Sequence, residues 1–195
     1  APQVDWSDPD AVWVYKRFLF DRAEIEVKPT VYVPYRPHAG QTPIHFPEHG
    51  EEWDVFVCVA GQRSGKSIAA AMEAIGRLGQ PGQRMWIVGP NYDLAERVFE
   101  MVYLLVVTQQ IFGRGSVKKA QNSKDNRSIV MQWGSWIRTK SAENPDSLVG
   151  EKLTFVILDE AAQVGPEIWT DYLEPRLVNL KGKALLISSP RGRNW

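Results

Sequence analysis

One eight-residue segment carries the strongest chemical pattern in the chain. Residues 60–67 are Ala-Gly-Gln-Arg-Ser-Gly-Lys-Ser, which fits a phosphate-binding loop with alanine in place of the first glycine. The backbone N–H groups of such a loop and the positive end of the helix that follows it point at a polyphosphate. The nucleotide-binding residues predicted from this segment are Gly61, Gln62, Arg63, Ser64, Gly65, Lys66 and Ser67.

Two of these side chains have distinct expected roles. Lys66 would reach the β- and γ-phosphates, and the Ser67 hydroxyl would bind Mg²⁺. The alternative is a glycine-containing turn between a strand and a helix that binds no ligand. A buried strand before the loop and a helix after it favour the phosphate-binding interpretation.

An acidic pair lies further along the chain, directly after an apolar run. Residues 154–158 are Thr-Phe-Val-Ile-Leu, and Asp159 and Glu160 follow them. We expect Asp159 to hold Mg²⁺, often through water, and Glu160 to act as the general base on the attacking water. An isolated Asp-Glu pair is more often a solvated turn or a helix cap. Together with the upstream loop, however, the pair predicts one site for ATP and Mg²⁺, with Lys66 and Glu160 as catalytic residues.

Strand-like and helix-like runs alternate from residue 53 onward, which is typical of an α/β fold. Strands are predicted at 54–60, 85–88, 153–158 and 184–187, and a hairpin at 128–133 and 136–140 around Gly134-Ser135. Helices are predicted at 67–78, 94–108 and 166–173, the last closed by Pro175. We therefore predict a mainly parallel β-sheet flanked by helices on both faces, the P-loop NTPase fold of the ASCE type, in which the catalytic glutamate lies on a strand separate from the loop.

Composition divides the chain and limits its partners. Residues 1–50 are rich in proline and predict an irregular N-terminal arm, whereas residues 51–195 predict the ATPase core. Lys+Arg and Asp+Glu both number 23, so net charge gives no argument for a nucleic-acid or membrane partner. A local basic stretch is either a solvated loop or a contact with DNA phosphates; it contains Arg114, Lys118, Lys119, Lys124 and Arg127. The single cysteine and the lack of a long apolar run predict a soluble protein of a reducing compartment.

Five segments together resemble the ATPase domain of the large terminase subunit of tailed bacteriophages. They are the phosphate loop and residues 88–95, 140–148, 158–162 and 186–192, and the likeness runs from about residue 35 to residue 195. The resemblance implies ATP hydrolysis that drives double-stranded viral DNA into a procapsid in the host cytoplasm. It also implies a homo-oligomeric ring, with a portal, a procapsid and a small terminase subunit as partners. The isolated domain is expected to be a monomer.

The resemblance assigns further roles to four residues. Gln41 is similar to the glutamine that reads the adenine edge, Ser188 and Ser189 to the coupling motif that senses the γ-phosphate, and Arg138 to an arginine inserted into the neighbouring subunit's ATP site. Each has a plainer alternative: a polar residue in a proline-rich arm, a simple strand-to-turn segment, and a solvated hairpin arginine.

Two departures from the family pattern matter. Gln62 stands where many relatives have arginine, so no catalytic contact is assigned to Arg63. The family's C-terminal nuclease domain is not in this sequence, and we expect no DNA cleavage by the chain. A helicase-like or DNA-repair P-loop ATPase, and a nucleotide-gated ring-assembly module without useful turnover, are the alternative functions.

Overall fold

The computed structural model describes residues 35–46, 53–124 and 126–191. Seven strands lie in these residues: β1 (Val55–Val59), β2 (Arg84–Gly89), β3 (Val117–Ser123), β4 (Asn126–Met131), β5 (Trp136–Ser141), β6 (Phe155–Asp159) and β7 (Lys183–Ser188). They form one sheet in the order β1-β7-β6-β2-β5-β4-β3. Every neighbouring pair from β1 to β5 is parallel, whereas β4 pairs antiparallel with both β5 and β3. The sheet is therefore mainly parallel, as the sequence predicts.

The helices follow the predicted positions closely. They are α1 (Thr42–His45), α2 (Lys66–Leu78), α3 (Tyr92–Tyr103), which continues as a π-helical turn (Leu104–Thr108), and α4 (Glu174–Val178), which a π-helical turn (Ile168–Leu173) precedes. The prediction that Pro175 closes the last helix is wrong. Pro175 lies in the first turn of α4, where no backbone N–H is needed for an intrahelical bond, and the helical segment continues to Val178.

Helices and turns cover both faces of the parallel strands. On one face, side chains pack with α2 and α3; they include Met85, Ile87, Phe155, Ile157, Leu185 and Ile187. On the other face, alternate residues of the same strands pack with the segment from Leu148 to Leu177; they include Trp86, Val88, Val156, Leu158, Ala184 and Leu186. Burial on both faces explains why these strands appear in the sequence as continuous apolar runs.

The basic stretch is more ordered than a solvated loop. It contains β3, which the sequence did not predict, and the beginning of β4. Arg127 is buried, lies 2.6 Å from the Glu96 carboxylate and donates to the Lys124 carbonyl, so it stabilises the fold and is not a surface cation. Lys118 and Lys119 on β3 stay exposed.

The described part of the predicted arm packs on the core. Ile44 is 1% exposed, and the His45 Nδ1 atom lies 3.0 Å from the Glu73 Oε2 atom on α2. The other ring nitrogen of His45 lies 2.9 Å from the Tyr35 hydroxyl. Residues 35–46 are therefore attached to the helix that begins at the phosphate loop; residues 1–34 and 47–50 of the arm lie outside the described residues. In the described part of the chain, no helix has the length and apolarity that crossing a membrane requires.

Candidate nucleotide-binding site

The carboxyl ends of β1, β6 and β7 meet at one edge of the sheet. Val59 pairs with Ser188 and Asp159 pairs with Ile187, while the Ala60 N–H donates to the Ser188 carbonyl over 3.0 Å. Because neighbouring strands are parallel here, the segments that follow them start side by side. The loop at 60–67, the acidic pair and the two serines, predicted separately from the sequence, therefore form one site.

The loop has the backbone geometry of an anion-binding turn that leads into a helix. Gly65 is the residue before α2 and has φ +82°, and a Cβ atom there would lie 2.5 Å from the Gln41 Nε2 atom. Glycine is therefore required at this position. The first N–H groups of α2 have no partner within the helix, so the loop offers several donors to an anion. The Ser64 hydroxyl is buried without a hydrogen-bond partner in the described residues, which marks the loop as a place where a polar ligand is expected.

Lys66 makes the central contacts of the site. It is 8% exposed, its ammonium donates to the Ser189 hydroxyl over 3.1 Å, and it lies 3.9 Å from the Glu160 Oε1 atom. The Ser189 N–H donates to the Glu160 Oε2 atom over 3.4 Å. Loop lysine, candidate base and coupling serine thus form one polar cluster.

Glu160 has an unusual backbone conformation. Its φ of +50° and ψ of +44° are left-handed, which costs a residue other than glycine on the order of 1 kcal/mol. Its carboxylate borders a cavity of about 350 Å³. The cavity is also lined by Gln62, Leu94, Arg97, Gln163, Ser189, Pro190 and Arg191. The strained residue therefore places an acidic group in the space beside the loop, as a general base requires.

Asp159 is almost completely buried, with 2% of its surface exposed. Burial raises the pKa of its carboxyl to about 6, and repulsion from Glu160 acts in the same direction. The hydrogen bond from the Glu160 N–H, 2.8 Å long, and the charges of Lys66 and Arg97 lower this pKa and only partly offset the effect of burial. A buried carboxylate of this kind is poised to gain a cation as partner.

The donor set fits a nucleotide triphosphate with Mg²⁺. In the described residues, no group of three or more His, Cys, Asp or Glu side chains could hold a metal by itself. Mg²⁺ is typically held by one or two protein oxygens together with phosphate oxygens and water. The Ser67 hydroxyl and the Asp159 carboxylate would supply the protein oxygens, so a metal is expected here only with its nucleotide.

The two serines connect the acidic strand end to the loop. The Ser188 hydroxyl accepts the Ala162 N–H and donates to the Ser189 carbonyl, both over 3.1 Å. Ser189 contacts Lys66 and Glu160 directly. The end of β7 is thus hydrogen-bonded to the turn after Glu160 as well as to the loop lysine.

Two predicted site residues have surroundings that the sequence did not indicate. Gln41 does reach the loop, but its amide donates to the Gly65 carbonyl and accepts the His38 N–H. Arg138 does not join the site of its own chain: it lies on β5, two strands from β6, pairs with Glu151 and stacks 4.4 Å above the Trp136 ring.

Three residues at the site were not predicted. Arg97 and Arg191 line the cavity, and His38 contacts the Ser64 carbonyl. Arg97 had a usable signal, because it is three residues after Leu94 and shares its helix face just behind the N-cap residue Asn91. His38 had none, because its contact with the loop depends on how the arm packs.

Comparison with known proteins gives consistent matches. The family model "Terminase large subunit, T4likevirus-type, N-terminal" matches residues 57–179. The large terminase subunit of Thermus phage G20c is 36% identical over 177 residues, which are 83% of this chain and 35% of that protein. The chain thus spans about a third of the length of the curated relatives it matches.

Solved structures agree with this result. The large terminase ATPase domain of Thermus phage P74-26 matches with a TM-score of 0.67 and 34% identity, over 83% of this chain and 68% of that one. A large terminase from another thermophilic bacteriophage, in complex with ATP-γ-S, matches at 0.59 and 14% identity over 79% and 38%, a likeness of fold alone. The predicted P-loop NTPase fold of the ASCE type is confirmed, and β7 lies between the loop strand β1 and the acidic strand β6.

Proposed function

Because this chain belongs to the terminase large subunit family, we propose that it hydrolyses ATP to drive double-stranded viral DNA into a procapsid. One observation supports this most directly: Lys66, at the start of α2, lies 3.9 Å from the Glu160 carboxylate beside the buried Asp159. A phosphate-binding lysine and a candidate base at this distance can act on the same phosphoryl group.

In the proposed reaction the loop N–H groups and Lys66 bind the phosphates of ATP. Lys66 exchanges its contacts with Ser189 and Glu160 for phosphate oxygens, which frees the Glu160 carboxylate to accept a proton from the attacking water. When bound between Ser67, Asp159 and the phosphates, Mg²⁺ would neutralise negative charge. The left-handed backbone at Glu160 keeps its carboxylate at the cavity throughout.

The contacts of Ser188 and Ser189 suggest how hydrolysis is coupled to movement. Ser189 contacts both Lys66 and Glu160, and Ser188 holds the Ala162 N–H of the following turn. Loss of the γ-phosphate would return Lys66 to Ser189 and so shift the end of β7 relative to β6. This fits the γ-phosphate-sensing role that the family resemblance implies.

Assembly into a ring would complete the site. Arg138 is outside the cavity of its own chain, and 39% of its side chain is exposed although it pairs with Glu151. We propose that it enters the ATP site of a neighbouring subunit, where such an arginine contributes about 10³- to 10⁵-fold in rate. The exposed Lys118, Lys119 and Lys124 are candidates for DNA phosphates. By family, the other partners are a portal, a procapsid and a small terminase subunit in the host cytoplasm. Gln41 stays a candidate for contact with adenine.

Phosphate release and nucleotide binding by three proteins test this function. Wild type should bind and hydrolyse ATP when Mg²⁺ is present and lose turnover in EDTA. Lys66→Ala should lose affinity for ATP. Glu160→Gln should bind ATP within about threefold of wild type but lose at least about 100-fold in turnover. Equal turnover by Glu160→Gln and wild type would contradict the assignment of the base, and binding without turnover by wild type in assembled rings would favour a nucleotide-gated assembly module.

A further inference from the structure

Two side chains that precede β1 in sequence hold the outer side of the phosphate loop. The His38 Nε2 atom lies 2.9 Å from the Ser64 carbonyl oxygen, and the Gln41 amide donates to the Gly65 carbonyl over 2.9 Å. The Gln41 carbonyl oxygen in turn accepts the His38 N–H over 3.0 Å. Two consecutive carbonyls of the loop are thus held by two side chains that also hold each other.

The hydrogen bonds of His38 define its tautomer. The Gly40 N–H lies 3.1 Å from His38 Nδ1, which must therefore accept. In a neutral imidazole the other nitrogen then carries the proton, so Nε2–H donates to the Ser64 carbonyl. His38 and Gln41 are consequently both hydrogen-bond donors to the loop.

These carbonyl contacts determine where the loop N–H groups point. A trans peptide directs its C=O and its N–H to opposite sides, and no cis bond occurs in the described residues. Holding the Ser64 and Gly65 carbonyls outward therefore turns the Gly65 and Lys66 N–H groups inward. These are donors of the kind that bind phosphate at the start of a helix.

The segment that carries the two side chains is itself fixed to α2. Ile44 is buried in the core, and the His45 ring lies 3.0 Å from the Glu73 carboxylate, two turns into the helix that Lys66 begins. His38, Gln41 and the loop therefore move as one unit with α2. Gln41 is 6% exposed and has its carbonyl oxygen and one amide hydrogen occupied, so contact with a base would break one of these bonds.

We propose that His38 and Gln41 form a clamp that pre-organises the phosphate loop, and that His38 is a positioning residue for phosphate binding whatever the base. The clamp rests on the proposed function, because it assumes that a triphosphate binds at the loop. It differs from base recognition in one measurable respect: it acts equally on ligands with and without adenine.

Calorimetric titration with Mg²⁺ and either ATP or inorganic tripolyphosphate tests the clamp. His38→Ala should weaken both ligands by the same factor, about five- to tenfold, because the loop loses one hydrogen bond of its pre-organised state. His38→Gln, which keeps an amide donor near the position of Nε2, should restore most of the affinity. Arg36→Ala, an exposed neighbour in the same segment, is the matched control and should bind both ligands as wild type does.

Gln41→Ala, titrated with ATP and GTP, separates the clamp from base recognition. The clamp predicts equal losses for the two nucleotides. A loss for ATP alone, or a His38→Ala protein that loses ATP but keeps tripolyphosphate, would overturn the clamp in favour of contact with adenine. Unchanged binding of both ligands by His38→Ala would overturn it as well.

Lys66→Ala distinguishes failure of the clamp from failure of the proposed function. If wild type binds both ligands, Lys66→Ala loses them and His38→Ala does not, only the clamp is wrong. If wild type binds neither ligand, the triphosphate site itself is wrong and the clamp is overturned with it. Thermal unfolding of His38→Ala within a few degrees of wild type shows that the variant is folded, and His38→Gln gives the same comparison with the donor retained.

Discussion

Lys66 and Ser189 are separated by 123 positions in the chain, yet the lysine ammonium donates to the serine hydroxyl over 3.1 Å. The lysine also lies 3.9 Å from Glu160, so the site without nucleotide satisfies its cation internally. Phosphate binding must replace these contacts. The nucleotide-free site therefore competes with its own ligand, and the strength of that competition is open to measurement.

Removing the serine hydroxyl should remove part of this competition. We expect Ser189→Ala to tighten ATP binding by about two- to fivefold, because a neutral hydrogen bond contributes roughly 1 kcal/mol to the nucleotide-free state. Ser188→Ala serves as control, because its hydroxyl contacts Ala162 and Ser189 but not Lys66. Calorimetry measures both. Weaker ATP binding by Ser189→Ala would mean that its hydroxyl contacts the nucleotide instead.

The buried Asp159 should make the metal-free protein less stable as pH rises. Its pKa is raised from 3.8 to about 6, so the folded state holds a proton that the unfolded state releases near pH 4. Stability from this group is therefore present below about pH 4 and is lost as pH rises through about 6. At pH 8 the cost is about 3 kcal/mol.

Asp159→Asn avoids this cost and keeps an oxygen that can accept the Glu160 N–H. In EDTA, urea unfolding should show the variant to be more stable than wild type at pH 8, with an advantage that shrinks towards pH 4. The same variant should gain no stability from ATP with Mg²⁺. A stability difference that stays constant between pH 4.5 and 8 would contradict the assigned pKa.

Arg97 should influence Asp159 through charge. Its guanidinium lowers the pKa of this carboxyl, so Arg97→Ala should raise that pKa further, whereas Arg97→Lys should keep it near the wild-type value. Carboxyl-carbon NMR titration of the metal-free protein measures this directly. Arg114→Ala, which removes an exposed arginine outside the cavity, is the matched control. The same pKa in Arg97→Ala and wild type would remove Arg97 from the electrostatics of the site.

A site shared between subunits predicts complementation. Arg138→Ala and Glu160→Gln should each hydrolyse ATP slowly by themselves, because one lacks the arginine and the other lacks the base. Mixed at a concentration where rings form, they should recover a fraction of wild-type phosphate release, since some interfaces combine an intact base with an intact arginine. As a control, each variant mixed with Lys66→Ala;Glu160→Gln;Arg138→Ala subunits should gain nothing. Failure to complement at high concentration would count against insertion of Arg138 into a neighbour.

The parts of the fold that were predicted correctly share a physical basis. The parallel strands are buried on both faces, so Met85–Val88 and Phe155–Leu158 are apolar runs without alternation, and α2 begins where a loop of known spacing ends. By contrast, β3 carries Lys118, Lys119, Gln121 and Asn122 because it is the outermost strand and half of it faces water. Its pairing with β4, and not its own pattern, makes it a strand.

Local spacing was enough to identify the phosphate loop, the acidic pair and their positions after buried strands, because the neighbours in space are neighbours in sequence. Strand order, the contact of Lys66 with Ser189, the attachment of His38 and Gln41 to the loop, and the separation of Arg138 from its own site came from the folded chain. Those contacts join residues tens of positions apart, and no short-range pattern encodes which strands lie side by side or which face of the loop a distant side chain reaches.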